Sequence, residues 1–289
     1  MEVLITGLNT YLGRRAVSHL NSDEFRVTGL VRNLPLFNKR ILEPVTAKLL
    51  EIDLFKTHRT PMNFSIKKLQ LGVYFTQVPG LNDALNMQME LISLRNFIQL
   101  CQDNGCDRVI YIARLMDSCY IDAIQNLFKE YRVKYTVVLQ SSAVGKETIL
   151  SDIFGKLSKS KYIPYWGLIA NLRFRPIPLL DVYRWIRTMP WEQHFIGEVI
   201  YLGGEESLSC KQLFLRYMQI NHPNSGYQII AISKWMAKLV YTGFFKIHKE
   251  NFDEFRRVMR YESEVDNSTW SKTAPFTFTP MNQTMLVDQ

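Results

Sequence analysis

The 289-residue sequence predicts an α/β protein, a doubly wound parallel sheet with a smaller C-terminal region, and three observations predict it. Short apolar runs of strand length alternate with stretches of helical periodicity through the first half. No hairpin signal joins two consecutive runs, so the strands pair in parallel through right-handed crossovers. A glycine-containing turn separates the first run from the first helix. With 47% hydrophobic and 21% charged residues the chain has material for a substantial core, which excludes disordered and fibrous classes.

The elements follow in order. Val3, Leu4 and Ile5 form a buried strand. Residues 11–20 carry apolar side chains at 12, 16, 17 and 20, one helix face. Further strands are predicted at residues 26–31, 47–52, 71–75, 108–113 and 135–139. A long helix over 82–102 shows Leu85, Met89, Ile92, Leu94, Phe97 and Leu100, and another spans 119–131. Residues 140–178 read as a loop-rich insertion holding Lys156, Lys159, Lys161, Pro164, Trp166, Arg173 and Arg175, the kind of segment that builds substrate sites. A capped helix start follows at 178–181, then a strand at 198–202 and a helix after Ser207 and Ser209 through Met218. A basic amphipathic helix over 232–245, a charged one over 251–259 and a weakly patterned tail follow.

The +8 net charge divides equally, +4 on residues 1–150 and +4 on 151–289, and favours anionic partners without a basic tract or an RNP-like strand that would single out nucleic acid. The four cysteines, Cys101, Cys106, Cys119 and Cys210, match neither a CxxC metal site nor a disulfide framework. The first residues enter a strand directly and no run reaches the length of a membrane span, so the expected location is cytoplasmic.

The first turn reads Thr6, Gly7, Leu8, Asn9, Thr10, Tyr11, Leu12, Gly13, between strand and helix at the start of a βαβ unit. That is the setting of a dinucleotide fingerprint: Gly7 for the tight turn, helix N-terminal amides for the pyrophosphate, Gly13 for close helix–strand packing. The alternative is a βα turn that uses glycine for geometry alone.

On these residues, with Val31-Arg32-Asn33, Ile52-Asp53-Leu54 and Tyr74-Phe75-Thr76 at the next strand ends and the segment through Asp181, about two-thirds of the chain resembles the atypical short-chain dehydrogenase/reductase superfamily, its NmrA-like and extended Rossmann members, whose first turn reads TGxxGxxG. The resemblance implies a Rossmann-like doubly wound sheet, a dinucleotide-binding core over 1–145 and a substrate-facing region over 146–289, with about 177–203 returning to the sheet. It implies cofactor contacts by Gly7, Asn9, Thr10, Tyr11, Leu12, Gly13, Arg32, Asp53, Leu54, Thr76 and Gln77. Thr10 replaces the family's middle glycine and either crowds the cofactor or substitutes its hydroxyl for the backbone contact. Arg32 stands where an acidic residue would hold the ribose of NAD; its planar fork of donors suits a 2′-phosphate, which favours NADP(H) over NAD(H), the alternative being a solvated loop arginine. Asp53 is either the aspartate at the adenine amino group or a helix cap, and Thr76 and Gln77 border ribose and nicotinamide or form a turn.

Reductases of this superfamily use a Tyr-x-x-x-Lys pair, in which lysine lowers the tyrosine pKa. The aligned tyrosine is Tyr120, and four residues on stands Ile124. No other tyrosine has the spacing and placement. His19, His58, His194, His222 and His248 show no metal-ligand spacing, so no metal is expected. Ser141 and Ser142 lack a nucleophile elbow and more readily line the nicotinamide end, and Asp181 reads first as a capping residue. The 232–249 segment is either a membrane-surface helix or acyl-chain site, or a lid or subunit contact. The expected activities are reduction of a small hydrophobic carbonyl or enone substrate without the usual pair, or a non-catalytic NADP(H) sensor or assembly factor with a protein partner, and an oligomer is compatible with either.

Overall fold

Strand β1 (Glu2–Thr6) buries Val3, Leu4 and Ile5 on both faces, the signature of a strand covered by helices on each side. Helix α1 (Tyr11–Leu20) follows and turns Leu12, Ala16, Val17 and Leu20 onto the sheet. After β2 (Arg26–Val31), Asn33 caps a short helix α2 (Leu34–Asn38) by accepting from the Leu36 amide at 2.7 Å. Then come β3 (Lys48–Glu51), β4 (Leu69–Phe75), α3 (Ala84–Asp103), β5 (Arg108–Arg114), a 3₁₀ turn over Leu115–Tyr120, α4 (Ile121–Glu130) and β6 (Lys134–Gln140). The computed structural model describes residues 1–41, 45–56, 64–78, 81, 83–165, 172–261 and 265–286; His58, Asn82 and Trp166 lie outside them.

The chain divides into two compact units, residues 1–139 with 183–200, and 140–182 with 201–289. The sheet of the first is ordered β3-β2-β1-β4-β5-β6 and ends on a seventh strand at Val199–Leu202. β1 runs parallel to both β2 and β4, β2 to β3 and β4 to β5, so the sheet is the doubly wound Rossmann-like one expected. The strand order reverses between β1 and β4, and their carboxyl ends open a crevice there.

Two features of this unit depart from expectation. On α3 the apolar residues split between faces: Leu94, Phe97 and Leu100 are buried with Met87, whereas Leu85, Met89 and Ile92 are exposed. A run of apolar residues around a helix does not say which stripe meets the sheet. The helix expected over 119–131 begins as the 3₁₀ turn, leaving ten residues for α4.

The second unit corrects the loop-rich reading of 140–178. Thr148 caps α5 (Ile149–Leu157), whose Leu150, Ile153, Phe154 and Leu157 face inward, and short strands cover β7 (Ala143–Val144), β8 (Tyr162–Tyr165), β9 (Arg173–Phe174) and β10 (Ile177–Pro178). Its core gathers Phe154, Phe214, Tyr241, Phe252 and Phe255, with the Phe154 and Phe214 rings edge to face at 5.2 Å. These aromatic rings are packed against one another. Arg173 donates to the Ser207 carbonyl and Arg175 to the Glu205 carbonyl, both at 2.8 Å, so these two arginines brace a turn of their own unit. Asp181 is fully buried and accepts from the Thr279 amide and hydroxyl, both at 2.7 Å. Ser141 is buried, its amide donating to the Leu202 carbonyl at 2.9 Å.

Candidate functional site

The β1–α1 turn is shaped by its two glycines. Gly7 adopts φ +83°, and a Cβ there would stand 2.2 Å from the Phe75 carbonyl oxygen on β4. A Cβ on Gly13 would stand 2.3 Å from the Gly7 carbonyl oxygen. Only glycine lets the strand end, the turn and the helix approach so closely. Thr10 is the N-cap of α1: its hydroxyl donates to the Gly7 carbonyl at 2.9 Å and accepts from the Gly13 amide at 3.2 Å. The threonine at the middle-glycine position thus fastens turn to helix. Tyr11 is the first helical residue and half-buried. The Leu12 side chain goes to the core, and its carbonyl accepts from the buried Tyr183 hydroxyl at 2.8 Å.

Beyond the ends of β1 and β2 lies a cavity of about 520 Å³. It brings together four of the expected residues, Asn9, Arg32, Asp53 and Gln77, with Arg14, Arg40 and Lys56, so four cations and one carboxylate face the same space. Leu36, Phe37 and Phe55 supply an apolar side. Arg32 pairs through Nε with Asp53 Oδ2 at 3.2 Å and lies over the Phe55 ring at 5.6 Å. These contacts hold the guanidinium at the edge of the cavity it lines. Asp53 also accepts from the Phe55 amide at 3.1 Å, so it is a turn cap and a cavity residue at once. Asn9 donates to the Gln77 carbonyl at 2.9 Å, tying the β1 turn to the end of β4.

Other expected residues serve the frame. Leu54 is buried and its carbonyl accepts from Asn96 at 2.7 Å. Thr76 is buried and donates to the Ile112 carbonyl at 3.0 Å. The Gln77 side chain turns inward, donating to Ser93 at 2.9 Å and Thr6 at 3.2 Å. Beneath them Glu90 on α3, fully buried, accepts from the Val78 amide at 3.0 Å and the Tyr111 hydroxyl at 3.1 Å. Burial first, and the nearby Asp117 charge after it, raise its carboxyl to about 7 against the hydrogen bonds that lower it.

Tyr120 stands apart from this cavity, at the end of the 3₁₀ turn between β5 and β6. Desolvation and the neighbouring Cys119 push its phenol above the ordinary value, the direction opposite to what a base at neutral pH needs. Ile124, four residues on, is fully buried, so the register of α4 points the family's lysine position into the core. At the end of β5, Arg114 forms a two-pronged pair with the buried Asp117, at 2.8 and 3.1 Å. Arg14, Arg40, Lys56 and Glu90 were missed in the sequence. Arg14 and Lys56 sit one and three residues past Gly13 and Asp53, so basic residues just beyond the strand ends were the available signal.

No protein-family model matches the sequence, and no curated protein sequence matches it significantly. Solved structures do match in fold. The UDP-glucuronic acid 4-epimerase of Bacillus cereus, in complex with NAD, superposes with TM-score 0.69 at 12% identity, covering 100% of this chain and 95% of its own. The triphenylmethane reductase of a Citrobacter species, complexed with NADP(H), does so with TM-score 0.69 at 10% identity and covers 100% of both chains. A nucleoside-diphosphate-sugar epimerase of Staphylococcus aureus reaches 0.64 at 14% identity, over 99% of this chain and 100% of its own. The chain therefore shares the fold of these epimerase and reductase structures.

Proposed function

We propose that a chain of this fold, with this cavity, is an NADP(H)-binding protein of the atypical short-chain dehydrogenase/reductase type, selective against NAD(H). The observation that carries the reading is the set of cations, Arg14, Arg32, Arg40 and Lys56, around the cavity beyond β1 and β2. A fixed guanidinium fork pairs with two phosphate oxygens, and further cations around it favour a dianion over a neutral hydroxyl. In this reading Gly7, Asn9, Thr10, Tyr11, Leu12 and Gly13 present the turn and helix N-terminus to the pyrophosphate, Arg32 meets the 2′-phosphate and Asp53 the adenine side. Leu54 and Thr76 act from behind by positioning Asp53 and the end of β4, and Gln77 contributes its backbone. The glycine-built turn fits the group, since the two glycines let the end of β1 and the N-terminus of α1 come close together, the arrangement whose backbone amides receive a pyrophosphate.

When bound, the dinucleotide supplies a hydride donor or acceptor. The chain's own residues decide whether that chemistry is used. With Tyr120 raised and Ile124 buried, the usual proton route is missing. The first reading is reduction of a hydrophobic carbonyl or enone in which the proton comes from water or another side chain. The neighbour that acts on triphenylmethane dyes is a reductase with NADP(H), which supports it. A second reading, a non-catalytic NADP(H) sensor or assembly factor, is favoured by the inward-facing Ile124. Both readings suit a cytoplasmic protein, since the cytoplasm is one of the compartments that hold NADP(H). NADPH oxidation, followed by absorbance with a panel of hydrophobic carbonyls, enones and a triphenylmethane dye, separates the two. Turnover that survives Tyr120→Phe supports the atypical reductase; tight NADPH binding with no turnover supports the sensor; turnover abolished by Tyr120→Phe overturns the assignment of Tyr120 as a bystander.

A further inference from the structure

The equal +4 on each half of the chain conceals a concentration: residues 207–249 contain six Lys or Arg and no Asp or Glu. Within that stretch a strand at Gln228–Ala231 pairs in parallel with β8, and it leads into a six-residue helix (Lys234–Leu239) and a π-helical turn (Val240–Phe244). The sequence leaves this segment either a membrane-surface helix or acyl-chain site, or a lid or subunit contact. In the structure its large apolar side chains project outward. The segment is anchored by Ala237 and Tyr241, whose hydroxyl donates to the Pro164 carbonyl at 2.9 Å and whose ring meets Phe252 at 5.4 Å. Trp235, Leu239 and Phe244 are left 73%, 68% and 74% exposed, more than any other large apolar side chain described in the protein. Lys234, Lys238, Lys246 and Lys249 are exposed beside them.

We infer that this face docks the protein on an anionic lipid surface, with Trp235, Leu239 and Phe244 entering the headgroup–acyl boundary and the lysines lying among the headgroups. Three bulky apolar side chains projecting from so short a segment, ringed by positive charge, are the composition of an interfacial anchor. Indole and phenyl rings suit that boundary, being amphipathic or flat and apolar. The identity of the cations separates lipid from a protein partner. From Tyr227 to Lys249 every charged side chain is lysine, none arginine. Protein interfaces enrich arginine, with its rigid fork, and deplete lysine; a compact ammonium on a flexible stem suits a diffuse layer of phosphates. Among the described residues no helix is long and apolar enough to cross a membrane, so the contact is with the surface.

Co-sedimentation of the full chain with lipid vesicles tests this. The protein is expected to pellet with vesicles of phosphatidylglycerol and phosphatidylcholine, to stay in solution with phosphatidylcholine alone, and to be released by raised salt. Lys234→Gln with Lys238→Gln is expected to weaken partitioning about thirtyfold, near fivefold per lysine at an anionic surface. Trp235→Ala, Leu239→Ser and Phe244→Ser together should abolish it with the melting temperature unchanged, because the three side chains contribute little to the fold. Equal pelleting with neutral vesicles, or none with anionic ones, overturns the inference. So does a dimer in solution that the triple variant dissolves, which would assign the face to a second copy of the chain.

Discussion

The carboxyl ends of β1 and β2 and the crossover from β5 to β6 belong to one sheet and are built on opposite principles. At β1 and β2, Arg14, Arg32, Arg40 and Lys56 face a cavity of about 520 Å³ with one carboxylate, Asp53, among them. At the β5 crossover, Arg114 and the buried Asp117 neutralise each other, Ile124 is packed away and Tyr120 is pushed toward the neutral phenol. An excess of like charge around an opening costs stability through self-repulsion that a bound anion offsets; a closed ion pair asks for no ligand. The contrast supports a protein that keeps the means to hold a dinucleotide and lacks the usual means to move a proton beside it.

The largest expected effect tests the shape of the binding side. Gly7→Ala forces a side chain to φ +83° and into the Phe75 carbonyl, and is expected to destabilise the chain by about 3 kcal/mol or more, read as a lowered denaturation midpoint. A variant as stable as the parent would mean that the turn is held open by something other than glycine.

Next comes Glu90, which joins the two regions by holding the Val78 amide on one side and the Tyr111 hydroxyl on the other. Its folded pKa, about 7, exceeds that of an ordinary glutamate, so the folded state binds the proton more tightly than the unfolded chain. Its contribution is therefore complete below about pH 4.5 and is lost as pH rises to about 7, a fall of about 3 kcal/mol. Denaturant titrations across that window should show the decline, and Glu90→Gln should flatten it. An undiminished slope in the variant would place the titrating group elsewhere.

What the sequence revealed of the fold was the part carried by local pattern. Val3 to Ile5, the Gly7 and Gly13 turn and the alternation through residue 139 imply parallel pairing, because continuous apolar strands separated by helices have few other arrangements. What it hid depended on which face meets which. Leu85 and Leu94 lie on one helix with opposite fates, and Trp235 is exposed while Ala237 beside it is buried. Hydrophobicity alone ranks those residues the wrong way, since Tyr241 and its hydroxyl partner set the rotation of that segment. The cavity was half visible: Arg32 and Asp53 follow strands and were expected, whereas Arg40 follows α2, the short helix that Asn33 caps, and lines the same space through the fold. Thr10 shows the converse. As a substitution in a glycine motif it signals loss, and in the structure its hydroxyl closes the helix cap that the turn requires.

The central claim is that the cations beyond β1 and β2 read a 2′-phosphate. Titration of the pure protein with NADPH and with NADH, followed by fluorescence, tests it most directly when repeated on Arg32→Ala. Loss of charge-assisted bonds to one phosphate predicts NADPH binding about tenfold to a hundredfold weaker in the variant, with NADH binding little changed. Equal losses for both dinucleotides, or no binding of either to the parent protein below about millimolar concentration, would contradict it.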